Sequence, residues 1–527
     1  MAISVSTGVD ISRAMVETPL TAADWLIIAP VAFPILAGAI LLMLRKRVAV
    51  QAAAANATLA LLLVLTAALL AHVAGAGPQT MTMGRWLPPF GISFSVDLTG
   101  ALLAAAAAAV AFACGLYATL DVDASRLRYG FFPFLLMMMA GVNGAFLTGD
   151  VFNLYVWFEV MLIASFGLIV LGSERQQLDG AIKYAFLNFV ATTLFLIATG
   201  YVYGAFGTLN MADITRQMAA PPPGAPVATI ATLYLVAFAM KAAAFPLNFW
   251  LPASYHTPRI VVSALFAGLL TKVGVYALLR VMVMIFAEQR GLLADWIALM
   301  AAATMLVGVF GALAQTDIRR LLGFLVVSGI GSMLAGIALA SNLGLTGTIV
   351  YAVHSMVVMA ALYLAAGIVG RRAGTFDLRG LGGHYAASPW FAGGFLLLAF
   401  SVAGLPPLSG FWPKLMLVKG AIAGGLSWLA AAILVTGLLT TLAIIRVWGF
   451  AFWRGGAEGI RDGAENWKLP PLAGGPAWSA YVSFGALVAL SVMIGLSPEP
   501  LARYALDAAI GLSAPDAYVG SVFGGAR

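Results

Sequence analysis

The chain has 527 residues, of which 62% are hydrophobic and 9% charged, with a net charge of +7 and one cysteine. Soluble domains carry roughly 25% charged residues, so a chain this poor in charge cannot cover a water-facing surface of its size, and a string of soluble domains is excluded. The lone Cys114 excludes an internal disulfide and a paired-thiol zinc or redox centre. The basic residues are scattered among short loops, which is not a nucleic-acid signature.

The first 24 residues contain Asp10, Arg13, Glu17 and Asp24, which is no secretory signal. A membrane-spanning helix needs about 20 mostly apolar residues. The apolar runs predict spans over 25–44, 49–74, 97–120, 130–149, 151–172, 181–206, 227–255, 259–286, 292–314, 319–341, 344–370, 388–424, 427–452 and 477–497. The expected fold is an all-α polytopic membrane protein of about fourteen transmembrane helices. If the chain starts outside, 17 Lys and Arg fall on the cytoplasmic side, clustered at Arg45 to Arg47, Arg126, Arg128, Arg319, Arg320, Arg371 and Arg372 among others. Seven fall on the opposite side: Arg13, Arg85, Arg216, Arg280, Arg290, Arg503 and Arg527. That bias fits the positive-inside rule and places both termini outside a bacterial inner membrane.

Four lysines remain, Lys241, Lys272, Lys414 and Lys419, and each lies inside an apolar span. Glu159 is the one acid deep in a span, while Asp150 sits at an end. An ionisable group at the bilayer centre costs at least about 2.5–3.5 kcal/mol on insertion scales, and such groups face the protein interior. Lys419, near the end of its span, is as readily a snorkelling residue. Glu159, Lys241 and Lys272 on separate helices point to a chain of proton sites. His354 lies in the apolar run YAVHSMVVMAALYLAAG and extends that chain, and His256, at the end of the seventh span in LPASYHTPR, is a further relay candidate unless it only orients the turn. His72 and His384 read as loop or interface residues.

Two spans contain proline in similar surroundings. The seventh reads AFAMKAAAFPLNFWLP, with Lys241 ahead of Pro246, and the twelfth reads AFSVAGLPPLSGFWPKLMLVKG, with Pro406 and Pro407 ahead of Lys414. Proline removes a backbone donor and breaks a helix, and the freed carbonyls at membrane depth must face protein or water. Breaks in corresponding places point to inverted repeats. The expected organisation is an external segment (1–24), helices one to three (25–129), a five-helix repeat of helices four to eight (130–286), a second of helices nine to thirteen (292–454), and a loop, last helix and tail (455–527).

The segments GDVFNLYVWFEVMLIASFGLIVLG, AFAMKAAAFPLNFWLPASYHTPRIVVSALFAGLLTKVGVYALLR, QTDIRRLLGFLVVSGIG and GLPPLSGFWPKLMLVKGA resemble the antiporter-like subunits shared by respiratory complex I and Mrp-type sodium/proton antiporters, most of all the D type of the latter. The resemblance implies that Glu159 pairs with Lys241, and that Lys272, His354 and Lys414 continue a hydrated file at mid-membrane. It implies a hetero-oligomer with subunits of the A, B, C, E, F and G types, moving protons against sodium. Some relatives carry a Lys five residues after the histidine, where this chain has Met359, so His354 bears more of the task.

No metal-ligand cluster or phosphate-binding loop is evident, and no cofactor or enzymatic activity is expected. Two other readings are a proton-pumping subunit of a complex I-type or membrane hydrogenase complex, and an inactive membrane scaffold. A scaffold has no need of lysines in the bilayer.

Overall fold

The computed structural model describes residues 15–16, 20–457, 469–472 and 476–524. Most of the expected external segment, with Asp10, Arg13 and Glu17, lies outside the described residues, as do Arg461, Lys468 and Arg527. Helices α1 (Ala22–Met43) and α2 (Val48–Ala76) lead into a hairpin of β1 (Gln79–Thr82) and β2 (Ser93–Val96), paired antiparallel from Gln79 opposite Val96 to Thr82 opposite Ser93. Then come α3 (Leu98–Asp121), α4 (Ala124–Arg128), α5 (Phe131–Leu147), α6 (Val151–Val170), α7 (Arg175–Phe206) and α8 (Met211–Gln217). The seventh expected span is α9 (Val227–Ala242), a break, and α10 (Trp250–Ser254). The eighth is α11 (Ile260–Leu265) and α12 (Thr271–Leu278), with π-helical turns at Phe266–Leu270 and Leu279–Ile285.

Next follow α13 (Ala287–Leu292), α14 (Ala294–Ala314), α15 (Ile318–Leu339), α16 (Asn342–Ala373) and α17 (His384–Ala387). The twelfth expected span is α18 (Pro389–Ala403), a break, and α19 (Phe411–Ala423). Helix α20 (Ser427–Trp448) ends in a π-helical turn at Gly449–Trp453, and α21 (Ala477–Leu496), α22 (Glu499–Ser513) and α23 (Asp516–Phe523) complete the fold. Among the described residues, eleven helices are long and apolar enough to cross a membrane. Three shorter apolar helices, α5, α9 and α18, stand where the sequence places its fourth, seventh and twelfth spans.

The run 260–285 and α16 are buried along their whole apolar stretch, and α15 nearly so. By contrast α1, α2, α7 and α20 leave more than half of theirs unburied, with Leu36, Val64, Phe186 and Leu438 exposed. Apolar surface on this scale fits lipid or neighbouring subunits rather than water. A polar residue on α12, or within the apolar stretch of α16, is therefore interior to the protein, and one on the outer helices can face lipid.

Two local patterns occur twice. At the start of α6, Val151 N–H donates to the Leu209 carbonyl and Met211 N–H to that of Gly149; at the start of α15, Ile318 N–H donates to Phe376 and Leu378 N–H to Thr316. Asp150 and Asp317 cap the two helices by accepting backbone N–H bonds from Asn153 and from Arg319 and Arg320. Side-chain oxygens at this position satisfy donors that a helix start leaves open.

The breaks also match. Ala243 (φ 62°) and Gly404 (φ 87°) end α9 and α18 in the left-handed region. Ala244 N–H bonds the Ala239 carbonyl and Leu247 that of Ala244, just as Leu405 bonds Phe400 and Leu408 bonds Leu405. The Phe245–Pro246 and Pro406–Pro407 bonds are both cis.

Short helices α4, α8, α13 and α17 fall in the connections between the expected spans, and two larger features also lie outside them. The β1–β2 hairpin occupies what reads in sequence as a loop, and α22 and α23 occupy the expected tail. They meet: the Thr80 and Ser521 hydroxyls are 3.0 Å apart, and Arg216 of α8 stacks on the Phe523 ring at 4.6 Å. On the other face, Arg126 pairs with Asp123 and Glu174, Arg259 approaches Asp123 at 3.4 Å, and Arg371 donates to the Leu120 carbonyl at 2.9 Å.

Candidate functional site: a buried row of ionisable residues

Glu159 sits on α6, half-buried, with its Oε1 enclosed and without a hydrogen-bond partner. Lys241 lies in the last turn of α9, 4% exposed, and its Nζ likewise has no hydrogen-bond partner. It stands over the Phe158 ring at 5.2 Å. The direct Glu159–Lys241 pair that the resemblance implies is not formed. The amine has the aromatic surface of Phe158 rather than a bonded partner beside it.

The helix carrying Lys272 packs directly on the one carrying Lys241. Gly274 makes this approach possible: a Cβ there would stand 2.8 Å from the Ala242 nitrogen and 3.1 Å from the Lys241 carbonyl carbon. Gly274→Ala is therefore expected to push α9 and α12 apart and to cost about 1–3 kcal/mol, as overpacking does in a tight core. A lowered unfolding temperature of the detergent-purified complex checks it.

Lys272 is fully buried and donates to the Ala267 carbonyl at 2.5 Å. That carbonyl lies in the π-helical turn that precedes the lysine. The adjacent Thr271 hydroxyl is buried without a partner, so the neighbourhood of Lys272 holds an unused polar group.

His354, on α16, is 1% exposed. Its Nδ1 is 2.8 Å from the Ser409 hydroxyl in the second break, and Tyr351 stands edge-on to the ring with centroids 5.5 Å apart. Met359, one turn on, is buried among apolar neighbours.

Breaking a helix frees carbonyls, and buried carbonyls need donors. At the first break the Trp250 indole N–H donates to the Met240 carbonyl at 3.2 Å, and Thr304 accepts the Phe245 N–H at 3.0 Å. At the second, Lys414 Nζ donates to the Val402 and Ala403 carbonyls at 3.0 and 2.7 Å. Gly404 forms the roof over this amine: a Cβ there would stand 2.6 Å from Lys414 Cδ. A cation is also favoured at the C-terminal end of a helix by the backbone dipoles. Lys241 precedes its break and Lys414 follows its own, so the two occupy different places in matching frames.

The other sequence candidates separate from this row. Lys419 is exposed on the outer side of α19. His256 lies beyond α10, with Nδ1 2.9 Å from the Pro252 carbonyl. Burial, with nearby Arg320, pushes its pKa below the ordinary imidazole range. His384, in the connection between α16 and α18, is fully buried, its two nitrogens 2.9 and 3.3 Å from the Ala451 and Val369 carbonyls.

Sequence reasoning missed one buried ion pair: Arg280, completely enclosed, donates to Asp97, the cap of α3. The only signal was Arg280 at the edge of a span, which reads as an interfacial residue. Among the described residues, no group of three His, Cys, Asp or Glu could hold a metal ion.

A family model described as NADH:quinone oxidoreductase/Mrp antiporter, TM, matches residues 148–440. The chain is 38% identical over 497 residues to the D-type subunit of the Na(+)/H(+) antiporter of Alkalihalophilus pseudofirmus, covering 94% of this chain and 99% of that protein. It is 34% identical over 496 residues to the D-type subunit from Bacillus subtilis, again covering 94% and 99%. Its structure is similar to a chain in the structure of the Mrp complex from Dietzia sp., with a TM-score of 0.87 and 30% identity over 96% of this chain and 100% of that one. A chain of respiratory complex I from Thermus thermophilus shares the fold, with a TM-score of 0.78 at 23% identity, covering 93% and 99%. The matched segment contains both helix breaks and every member of the row, Glu159, Lys241, Lys272, His354 and Lys414, and on these grounds the chain belongs to the NADH:quinone oxidoreductase/Mrp antiporter family of membrane subunits.

Proposed function

We propose that the chain is the proton-translocating subunit of a multisubunit Mrp-type cation/proton antiporter, with Glu159, Lys241, Lys272, His354 and Lys414 as its proton file and sodium as the exchanged cation. The observation that carries this reading is the burial of Lys241, Lys272 and His354, at 4%, 0% and 1% exposure, on helices of the apolar interior. Buried charges are retained at such cost where they do work.

Ionised Glu159 holds protonated Lys241 across their gap. When that hold loosens, Lys241 passes its proton through water to Lys272, then by way of His354 to Lys414 and out. Each transfer moves one unit of charge in a weakly screening interior, which alters the balance at the next site. The membrane potential adds about 2.3 kcal/mol per charge per 100 mV. A sodium cage calls for several oxygen ligands, and Glu159 supplies one carboxylate, so sodium crosses in a partner subunit or at an interface.

The architecture that suits this role has fourteen crossings and two inverted five-helix units, residues 130–286 and 292–454, with breaks in the seventh and twelfth helices. The recurring hydrogen-bond patterns at α6 and α15 and at the two breaks support it. The hairpin, α8, α22 and α23 share a face, as the basic-residue bias requires of segments outside a bacterial inner membrane, and both termini belong there. The apolar flanks of α1, α2, α7 and α20 suit packing against subunits of the A, B, C, E, F and G types.

The test is sodium-dependent proton movement in everted vesicles of an antiporter-deficient host carrying the whole complex, with Lys241→Ala beside wild type. A sodium-induced pH response in wild type, lost in an equally assembled variant, is the expected result. A full response in the variant sinks the file, and no sodium response in wild type sinks the exchange.

A further inference from the structure

Beyond His354 the file has no direct hydrogen bond to Lys414. His354 Nδ1 bonds the Ser409 hydroxyl at 2.8 Å, Ser409 bonds Ser491 at 2.9 Å, and Ser491 lies 3.3 Å from Ser401. All three serines are buried, at 0%, 1% and 0% exposure. Ser401 is in the last turn of α18 and Ser409 lies within the break, so the row straddles the gap between the two half-helices. Ser491 comes from α21, which lies outside both five-helix units. It is fixed there by the Trp412 indole, which donates to the Gly495 carbonyl at 2.8 Å, and by Gly495, where a Cβ would stand 2.8 Å from the Ser409 nitrogen. The row ends at Ser401, whose next two residues, Val402 and Ala403, carry the carbonyls that hold Lys414.

A hydroxyl both donates and accepts. Three in a row can all point one way or all the other, and the histidine at the end must match. With the row pointing toward His354, Ser409 donates to Nδ1, and the ring carries its proton on Nε2. With the row reversed, Nδ1–H donates to Ser409, and Nε2 presents a lone pair. No heavy atom need move between these states, and no charge is created along the serines.

We propose that Ser409, Ser491 and Ser401 are positioning residues that select the tautomer of His354, so that α21 governs when Nε2 can take a proton. The inference rests on His354 being a member of the proton file. The charged groups that act on the ring are Lys272 and Lys414, one on each side of it in that file. The row thus links the fourteenth expected span to the second break.

The experiment uses the whole complex in everted vesicles, with complex content checked in each membrane. The variants are Ser409→Ala, Ser491→Ala, Ser491→Thr and His354→Gln, with Ser483→Ala as control. Ser483 is buried on the same helix, and its hydroxyl bonds the Ser479 carbonyl outside the row. Ser409→Ala and Ser491→Ala should each lower sodium-dependent proton movement about tenfold, the worth of a good buried hydrogen bond, and displace its pH profile. Ser491→Thr, which keeps a hydroxyl, should regain most of the rate, and Ser483→Ala should match wild type. Wild-type rates and profiles in both alanine variants, with His354→Gln inactive, overturn the inference and leave the file standing. Reduced rates with an unmoved profile and no recovery in Ser491→Thr overturn it in favour of plain packing. A fully active His354→Gln takes His354 out of the file, and the inference falls with it.

Discussion

Asp97→Ala should lower the stability of the folded chain by about 3–5 kcal/mol, the usual consequence of removing one partner from a buried ion pair. Arg280 has no exposed surface, and its other contacts are weak substitutes: the Tyr276 hydroxyl at 3.0 Å, the Met284 sulfur at 3.5 Å and the face of Tyr518 at 4.9 Å. Without the carboxylate a guanidinium that cannot shed its proton is left uncompensated in an apolar setting. The same change strips the cap of α3, whose Gly100 N–H bonds Asp97 at 3.0 Å, for about 1 kcal/mol more. Asp97→Asn keeps a capping oxygen and isolates the charge effect. Replacing both partners, with Arg280→Met beside Asp97→Asn, should recover much of the loss, since the cost lies in the orphaned charge. The measurement is the unfolding temperature of the purified complex across this series. An Asp97→Ala protein as stable as wild type would show that Arg280 needs no counter-charge.

The second large effect is on transport. Lys272→Arg keeps a positive charge in the same place, yet sodium-dependent proton movement should fall to the background of empty vesicles. A lysine that only balances charge can be replaced by arginine, whereas one that passes a proton cannot, because arginine stays protonated throughout the accessible pH range. Glu159→Gln should be silent too, because it removes the anion that holds Lys241. An active Lys272→Arg complex would take Lys272 out of the file and leave it a structural cation.

Much of this organisation could be read from the sequence because a bilayer imposes strong rules on it. Apolar length marks a span, and a lysine inside one stands out at once. Lys241, Lys272 and His354 were found by that contrast alone, and each lies in the interior. Pro246, Pro406 and Pro407 marked the two breaks, although the helices end a few residues earlier, at Ala242 and Ala403. What escaped is what depends on three-dimensional neighbours. Arg280 lies near the end of its span, where an arginine usually reaches water, and only the fold covers it with α22, α23 and Asp97. Ser409 and Ser491 carry no charge and are 82 positions apart, so nothing in the chain order pairs them. The π-helical turns leave no mark in an apolar stretch, although one of them presents the carbonyl that Lys272 uses. His384 looked like a loop residue because Gly and Ser surround it, but its loop tucks beneath the ends of α16 and α20.

The grip of Lys414 on the Val402 and Ala403 carbonyls has a consequence for how many protons that station can release without moving. An ammonium group has three N–H bonds, and two are spent on those carbonyls. The third is surplus. If it leaves, the neutral amine still has two N–H groups, enough to keep both moorings. Lys414 can thus change charge while staying in place, like a fixed electrode rather than a swinging arm, and the end of α18 stays capped in both states.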